Sequence, residues 1–251
     1  MNNQFSRPPI ITLMTDFGLM DPYVGIMKGV ILKIVPQATI VDLTHSISPQ
    51  NIREAAFSLS TAIDYFPVGT IHLVVVDPGV GGKRRPIAVK TSQAYFVAPD
   101  NGVLTHSLKL NPASISIHLN NPAYHLPKVS KTFHGRDIFS PAAAHLARGI
   151  PIHALGDRIN DLVQISISQP VYQPNGNIEG QIQHIDRFGN CITNIPATML
   201  VRTSGLHIAI GNHGIKQIAE SYDAVESGQL VALSGLFSSR RNRKRKAPVV
   251  V

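Results

Sequence analysis

Asp77 closes the β-branched run His72-Leu-Val-Val-Val and is followed by Pro78-Gly-Val-Gly-Gly82 and the cations Lys83, Arg84 and Arg85. A continuous apolar run of this kind reads as a strand buried on both faces, typical of parallel α/β sheets. In such sheets ligands bind beyond the carboxyl ends of the strands. A carboxylate there is expensive unless it is paired, and Arg84 or Arg85 can reach it across the glycine turn. His134, in the polar loop Lys131-Thr-Phe-His-Gly-Arg-Asp137, is a third group of the same kind. An acid held by a cation, with an imidazole nearby, can orient and activate a small nucleophile; equally, the pair can be structural and the histidine a surface residue.

Other chemistries fit these residues less well. A phosphate-binding glycine loop must open into a helix whose amides hold the anion. Pro86-Ile-Ala-Val-Lys90 is strand-like instead, and no G-x-x-x-x-G-K-[ST] occurs. His134 and His145 lack the H-E-x-x-H arrangement of a zinc protease, while a carboxylate–imidazole metal site from Asp16, Asp77 and His134 is an alternative. Further on, His184-Ile-Asp186-Arg-Phe188-Gly-Asn190 offers an acid, an aromatic and an amide within seven residues, suited to recognising polar edges and a stacked ring. Its bland reading is a β-turn built around Gly189.

The elements that would position these groups are legible from periodicity. Ile10 to Thr15 reads as a strand, with Asp16-Phe-Gly18 at its carboxyl end. Asp21-Pro22 has the form of an N-cap and first helical residue, and Val24, Met27, Ile31 and Ile34 recur at helical spacing up to Pro36. Thr39 to Leu43 is a second strand and Asn51 to Phe66 a second helix. Strand, helix, strand, helix, strand predicts a right-handed parallel α/β sheet. Ile87–Lys90 and Ala94–Ala98 read as a hairpin, and Ile138–Ala147 as an Ala-rich helix closed by Gly149. After Ile165 helical spacing disappears and short alternating stretches predict an all-β region. The expected organisation is an α/β domain over 1–162, a smaller C-terminal all-β, barrel-like domain over 163–239, and a basic, disordered tail over 240–251.

Composition narrows the classes. The chain has 251 residues, 43% of them hydrophobic, enough for a sizeable core. No apolar run approaches the ~20 residues of a membrane helix. The start, MNNQFSRPPI, lacks the marks of a signal peptide, and the single cysteine, Cys191, fits a reducing cytoplasm, where the protein is expected. Of the net charge of +8, six cations lie in one run, Arg240 to Lys246; +8 less 6 leaves +2 for the rest. Such a run can bind phosphates, but no nucleic-acid motif accompanies it, so a nucleic-acid partner is not expected.

Six segments, in order, resemble the S-adenosylmethionine hydroxide adenosyltransferase family, relatives of the fluorinases and chlorinases. They are Met14-Thr-Asp-Phe-Gly18, Val41-Asp-Leu-Thr-His-Ser46, Val76-Asp-Pro-Gly-Val-Gly81 with Arg84-Arg85, Ala98-Pro-Asp-Asn-Gly102, Thr132-Phe-His-Gly-Arg-Asp137, and Ile185-Asp-Arg-Phe-Gly-Asn190 with Thr193-Asn-Ile195. The resemblance implies hydrolysis of S-adenosyl-L-methionine to adenosine and L-methionine, without cofactor or metal. It also implies a homotrimer whose substrate sites lie between subunits. By motif, Asp77, Arg84 and His134 fall on the hydrolytic triad, Asp16 on the ribose hydroxyls, and Asp21 and Asp186 near the methionine end. Phe188 and Asn190 fall on the adenine. Halogenating relatives carry tyrosines in place of Asp77 and His134, so the resemblance points to water, not halide, as the nucleophile. The chain leaves the family's pattern after Ser239, where relatives continue with an L-x-I-A strand and a Gly–Asn–Ala segment. Arg240 to Val251 reads instead like a frameshifted or truncated end, which keeps a non-catalytic adenosine- or S-adenosylmethionine-binding protein as the alternative function.

Overall fold

The computed structural model describes residues 7–200, 207–215, 218–219, 221–226, 228–234 and 248–251. The chain divides into two compact units, Met1–Ile165 and Ser166–Val251.

In the first unit β1 (Ile10–Thr15), α1 (Tyr23–Ile34), β2 (Thr39–Thr44), α2 (Ile52–Ala62) and β3 (Thr70–Val75) follow one another as the periodicity predicts. They are succeeded by β4 (Pro86–Lys90), β5 (Ala94–Pro99), α3 (Thr105–Leu110), β6 (Ile115–His118), α4 (Ser140–Ala147) and β7 (Asp157–Arg158). The seven strands form one sheet in the order β2-β1-β3-β5-β4-β6-β7. The pairs β2–β1, β1–β3 and β3–β5 are parallel, whereas β4 runs antiparallel to both β5 and β6.

Side chains of a strand alternate between the sheet's faces, and both faces here are covered. Ile11, Leu13, Ile71, Leu73 and Val75 join α1 and α4 through Met27, Ile31, Ala142 and Ala143. Met14, Val74 and Val76 meet Ala55 and Leu59 of α2 on the other face. All six residues of β3 are buried, which accounts for its unbroken apolar reading. Leu73 is fully enclosed; truncation to Ala is of the kind that costs about 2–5 kcal/mol.

The chain leaves β1 toward β2 on one side and returns past it to β3 on the other. That reversal creates a crevice outside the carboxyl ends of β1 and β3, where open α/β sheets bind ligands. Asp16 directly follows β1, and Asp77 lies two residues beyond β3.

Three local expectations change. Pro22, not Asp21, holds the N-cap position of α1, and among the described residues no side chain caps it. The stretch after Asp100-Asn101-Gly102, expected only as a turn, leads into α3. The predicted helix Ile138–Ala147 starts instead as a π-helical turn, Gly135–Phe139, before becoming α4.

In the second unit, β10 (Ile182–Ile185), β11 (Cys191–Pro196), β14 (Ile218–Ala219), β15 (Ala232–Ser234) and β16 (Pro248–Val250) form a sheet ordered β10-β11-β16-β15-β14. Two ribbons accompany it, β8 (Val171–Tyr172) with β9 (Ile178–Glu179), and β12 (Ile208–Ile210) with β13 (His213–Ile215). Residues 240–247, the basic run, lie outside the described residues. The last part of the expected disordered tail differs from that reading: β16 pairs with β11 and β15, and Val249 and Val250 are buried. Among the described residues no helix is long and apolar enough to cross a membrane.

Candidate active site

The turn after β3 folds back on itself. Val80 N–H donates to the Asp77 carbonyl and Gly82 N–H to that of Gly79. This brings Arg84 over Asp77: Nε donates to Oδ1 at 2.8 Å, and Nη2 donates to Oδ2. Gly79 leaves the room, since a Cβ there would stand 3.0 Å from Cγ of Arg84. The two side chains are 5% and 8% exposed, so this is a nearly buried, forked ion pair. The guanidinium also stacks 5.2 Å above the Phe139 ring.

Arg84 settles which cation serves Asp77. Arg85 turns away, donating from Nε to Asp100 at 2.9 Å and from Nη1 to Asp161 at 2.8 Å. Asp100 in turn accepts the Val163 N–H at 2.8 Å. Arg85 is therefore a structural clamp on residues 161–163.

His134 arrives from a later loop. Gly81 has φ +74°, and any Cβ there would run into the Lys131 carbonyl oxygen, so only glycine lets the two loops touch. The loop is folded around Asp137, fully buried, which accepts from Ser130 N–H at 2.8 Å and from Arg136 Nε at 2.6 Å. Burial pushes the Asp137 carboxyl up, but these donors outweigh it and hold it below the usual carboxylate range. The π-helical turn follows directly, a form frequent at functional sites.

Arg84 Nη2 stands 2.8 Å from His134 Nδ1. A guanidinium only donates, so Nδ1 must be the acceptor and the ring proton sits on Nε2. Burial and then the Arg84 charge push His134 below its ordinary pKa, which keeps the ring neutral. One arginine thus ties Asp77 and His134 into a single unit and occupies the space between them. Among the described residues no three His, Cys, Asp or Glu side chains are grouped to hold a metal ion.

The other predicted residues of the first unit sit on the turn after β1. Asp16 Oδ2 accepts the Gln50 N–H at 2.8 Å. Asp21 is exposed and is not drawn into the triad. Periodicity did not indicate the aromatic trio that links this turn to the His134 loop: Phe17, Tyr23 and Phe133 pack edge to face, with centroids 5.4–6.0 Å apart. Phe17 and Phe133 adjoin the candidates Asp16 and His134, and Tyr23 lies two residues after Asp21, which was the available signal.

In the second unit Asp186, Phe188 and Asn190 share the β10–β11 turn. Asp186 Oδ1 accepts from Phe188 N–H and Asn190 N–H at 2.8 and 3.0 Å, and Oδ2 accepts from Asn190 Nδ2 at 2.7 Å. Gly189 takes φ +89°. The expected β-turn around Gly189 is therefore present, and it carries all three candidate recognition residues. Slight burial pushes the Asp186 carboxyl up, and the Asn190 and Phe188 donors bring it below its ordinary value. Phe188 is 89% exposed. With Asp186 and Asn190 it borders a cavity of about 930 Å³ that Tyr222, Leu233 and Val250 also line.

Comparison with known proteins gives this arrangement a context. Residues 11–156 match the model of the SAM hydroxide adenosyltransferase N-terminal domain, and residues 180–238 that of the C-terminal domain. An (R)-S-adenosyl-L-methionine hydrolase of Thermus thermophilus is 38% identical over 233 residues, covering 90% of this chain and 88% of that protein. A fluorinase of Nocardia brasiliensis is 27% identical, with 96% and 90% covered. The crystal structure of an uncharacterized conserved protein from Thermotoga maritima superposes with a TM-score of 0.85 at 35% identity, over 96% of this chain and 91% of that one.

Proposed function

The chain belongs to the SAM hydroxide adenosyltransferase family, and from that membership we propose that it hydrolyses S-adenosyl-L-methionine to adenosine and L-methionine. The observation that carries the reading is the half-buried Asp77–Arg84–His134 cluster at the switch point of the sheet. Water attacks the ribose C5′ carbon, the C5′–S bond breaks, and its electron pair leaves with methionine as a neutral thioether. No acid is needed for that leaving group. The difficulty is to hold a weak nucleophile in line with the C–S bond and away from bulk solvent.

The tautomer supports a division of labour. His134 accepts from Arg84 through Nδ1, so its Nε2–H can only donate; it holds the water by a lone pair. Asp77 keeps lone pairs beyond those that Arg84 occupies and takes the water's proton as the C–O bond forms. A carboxylate at this position also repels a halide nucleophile. Asp16 binds the ribose hydroxyls, Asp21 and Asp186 face the methionine end, and Phe188 and Asn190 receive the adenine. The substrate site is completed between subunits of a homotrimer, without a cofactor. Exposed Leu19 and Met20, beside Asp16 in sequence, support such a covered face.

The test is incubation of the purified chain with S-adenosylmethionine, following products by chromatography. Equal adenosine and methionine are expected, with release reduced at least about 100-fold in folded Asp77→Asn and His134→Ala proteins. Tight adenosine binding without turnover would replace the enzyme by a binding protein. A dominant 5′-chloro product in chloride would make it a halogenase.

A further inference from the structure

The loop between β2 and α2 touches the Asp16 turn at three points. Its first residue, His45, accepts the Gly18 N–H at its carbonyl (2.8 Å) and meets Thr15 Oγ1 with Nδ1 (2.9 Å). At the far end, Gln50 donates its N–H to Asp16 Oδ2 at 2.8 Å. Gln50 is the one non-glycine residue with positive φ, +64°, among the described residues. A strained backbone is retained where surrounding contacts over-determine it.

His45 is 4% exposed and is itself held. Nε2 lies 3.0 Å from Asp42 Oδ1, so the tautomer that carries its proton on Nε2 turns that proton toward the carboxylate. Lys28 Nζ, from α1, donates to the other oxygen of Asp42 at 2.6 Å. With the proton on Nε2, Nδ1 accepts the Thr15 hydroxyl proton, and Thr15 Oγ1 accepts the Phe17 N–H at 3.2 Å. A chain of polar contacts therefore runs from α1 through the end of β2 into the peptide that carries Asp16.

We propose that His45 is a positioning residue for Asp16. Acting through Thr15 and the 45–50 loop, it fixes the carboxylate that grips the ribose. Hydrogen-bonded partners around a functional group set its orientation, and around metal ligands, where the effect is best characterised, their loss costs about 10–100-fold. The proposal rests on the reading of Asp16 as the ribose-binding acid.

The test is titration calorimetry of adenosine into the full chain, which needs no turnover. His45→Ala should weaken binding about tenfold, Asp16→Ala at least as much, and the double variant no further than Asp16→Ala alone. His45→Asn, whose amide falls near the Nδ1 position, should recover most of the affinity. His45→Gln, which reaches instead toward Nε2, should not. Circular dichroism checks folding, and if His45→Ala fails to fold, the Asn-versus-Gln contrast decides. Penalties that multiply in the double variant, or equal losses in Asn and Gln, overturn the positioning role while leaving the function standing. An unmodified protein that does not bind adenosine overturns both.

Discussion

The two candidate recognition surfaces are built on opposite terms. In the first unit, Asp77 and Arg84 are almost wholly enclosed, hydrogen-bonded to each other and braced by Phe139 and His134. In the β10–β11 turn, Asp186 and Asn190 are also satisfied by one another, but Phe188 stands in solvent. Groups that must act on a small nucleophile are fixed before anything binds, because a misplacement of an ångström is costly. A ring that stacks on a ligand can wait for its partner, since stacking gains most of its energy when the ligand covers it. Removal of a buried group should therefore disturb chemistry and stability together, whereas removal of the exposed ring should disturb affinity alone.

The largest expected effect tests the enclosed side. Arg84→Met leaves the Asp77 carboxylate unpaired, and breaking a nearly buried pair costs about 3–5 kcal/mol. Denaturant unfolding should show that loss, with turnover falling at least about 100-fold. Arg84→Lys should recover stability better than rate, because an ammonium cannot fork to Asp77 and reach His134 with the same geometry. Unchanged stability in Arg84→Met would remove the distinction.

The next effect is pH-dependent and lies in the core of the same unit. His72 is fully buried, 2.7 Å from Thr12 Oγ1 and stacked on Phe96, and among the described residues its Nε2 has no hydrogen-bond partner. Burial lowers its pKa from 6.5 to about 4. The unfolded chain therefore takes the proton first as pH falls. The stability His72 contributes is complete above about pH 6.5 and is lost between there and about pH 4, to a total of about 3 kcal/mol. Urea titrations at pH 7 and pH 4.5 should differ more in the unmodified protein than in His72→Leu. An equal difference would place the acid sensitivity elsewhere.

Phe188→Ala sharpens the other half. Adenosine affinity should drop by about 1–2 kcal/mol, within the range for base stacking on an aromatic ring, with unfolding unchanged within about 0.5 kcal/mol. A matching loss of stability would show that the exposed ring is structural after all. The smallest effect is expected for Gln50→Gly. Glycine relieves the positive φ while keeping the N–H that Asp16 accepts, so stability should rise by at most about 1 kcal/mol.

What the sequence made legible follows from the range of the interactions. The β1–α1–β2–α2–β3 run was readable because each element declares its period over a few residues. Asp77 was readable because an acid ending a buried strand needs a partner. Whether that partner was Arg84 or Arg85 was not, since adjacent residues leave a turn in different directions and only the turn geometry at Gly79 selects one. The six-residue α3, polar on much of its surface, has too few turns to show a period. The strand Pro248–Val250 was hidden for another reason: its place depends on β11 and β15, far away in sequence, and a basic run precedes it. Gln50 and His45 carry no local mark of their hold on Asp16, because that hold is made between loops.

If Asp77 and His134 act as proposed, water is the nucleophile at the ribose C5′ carbon. Turnover in oxygen-18 water, with products analysed by mass spectrometry, tests it most directly. The prediction is one oxygen-18 in the 5′-hydroxyl of adenosine and none in methionine. Unlabelled adenosine, or label appearing in homoserine beside methylthioadenosine, would contradict it.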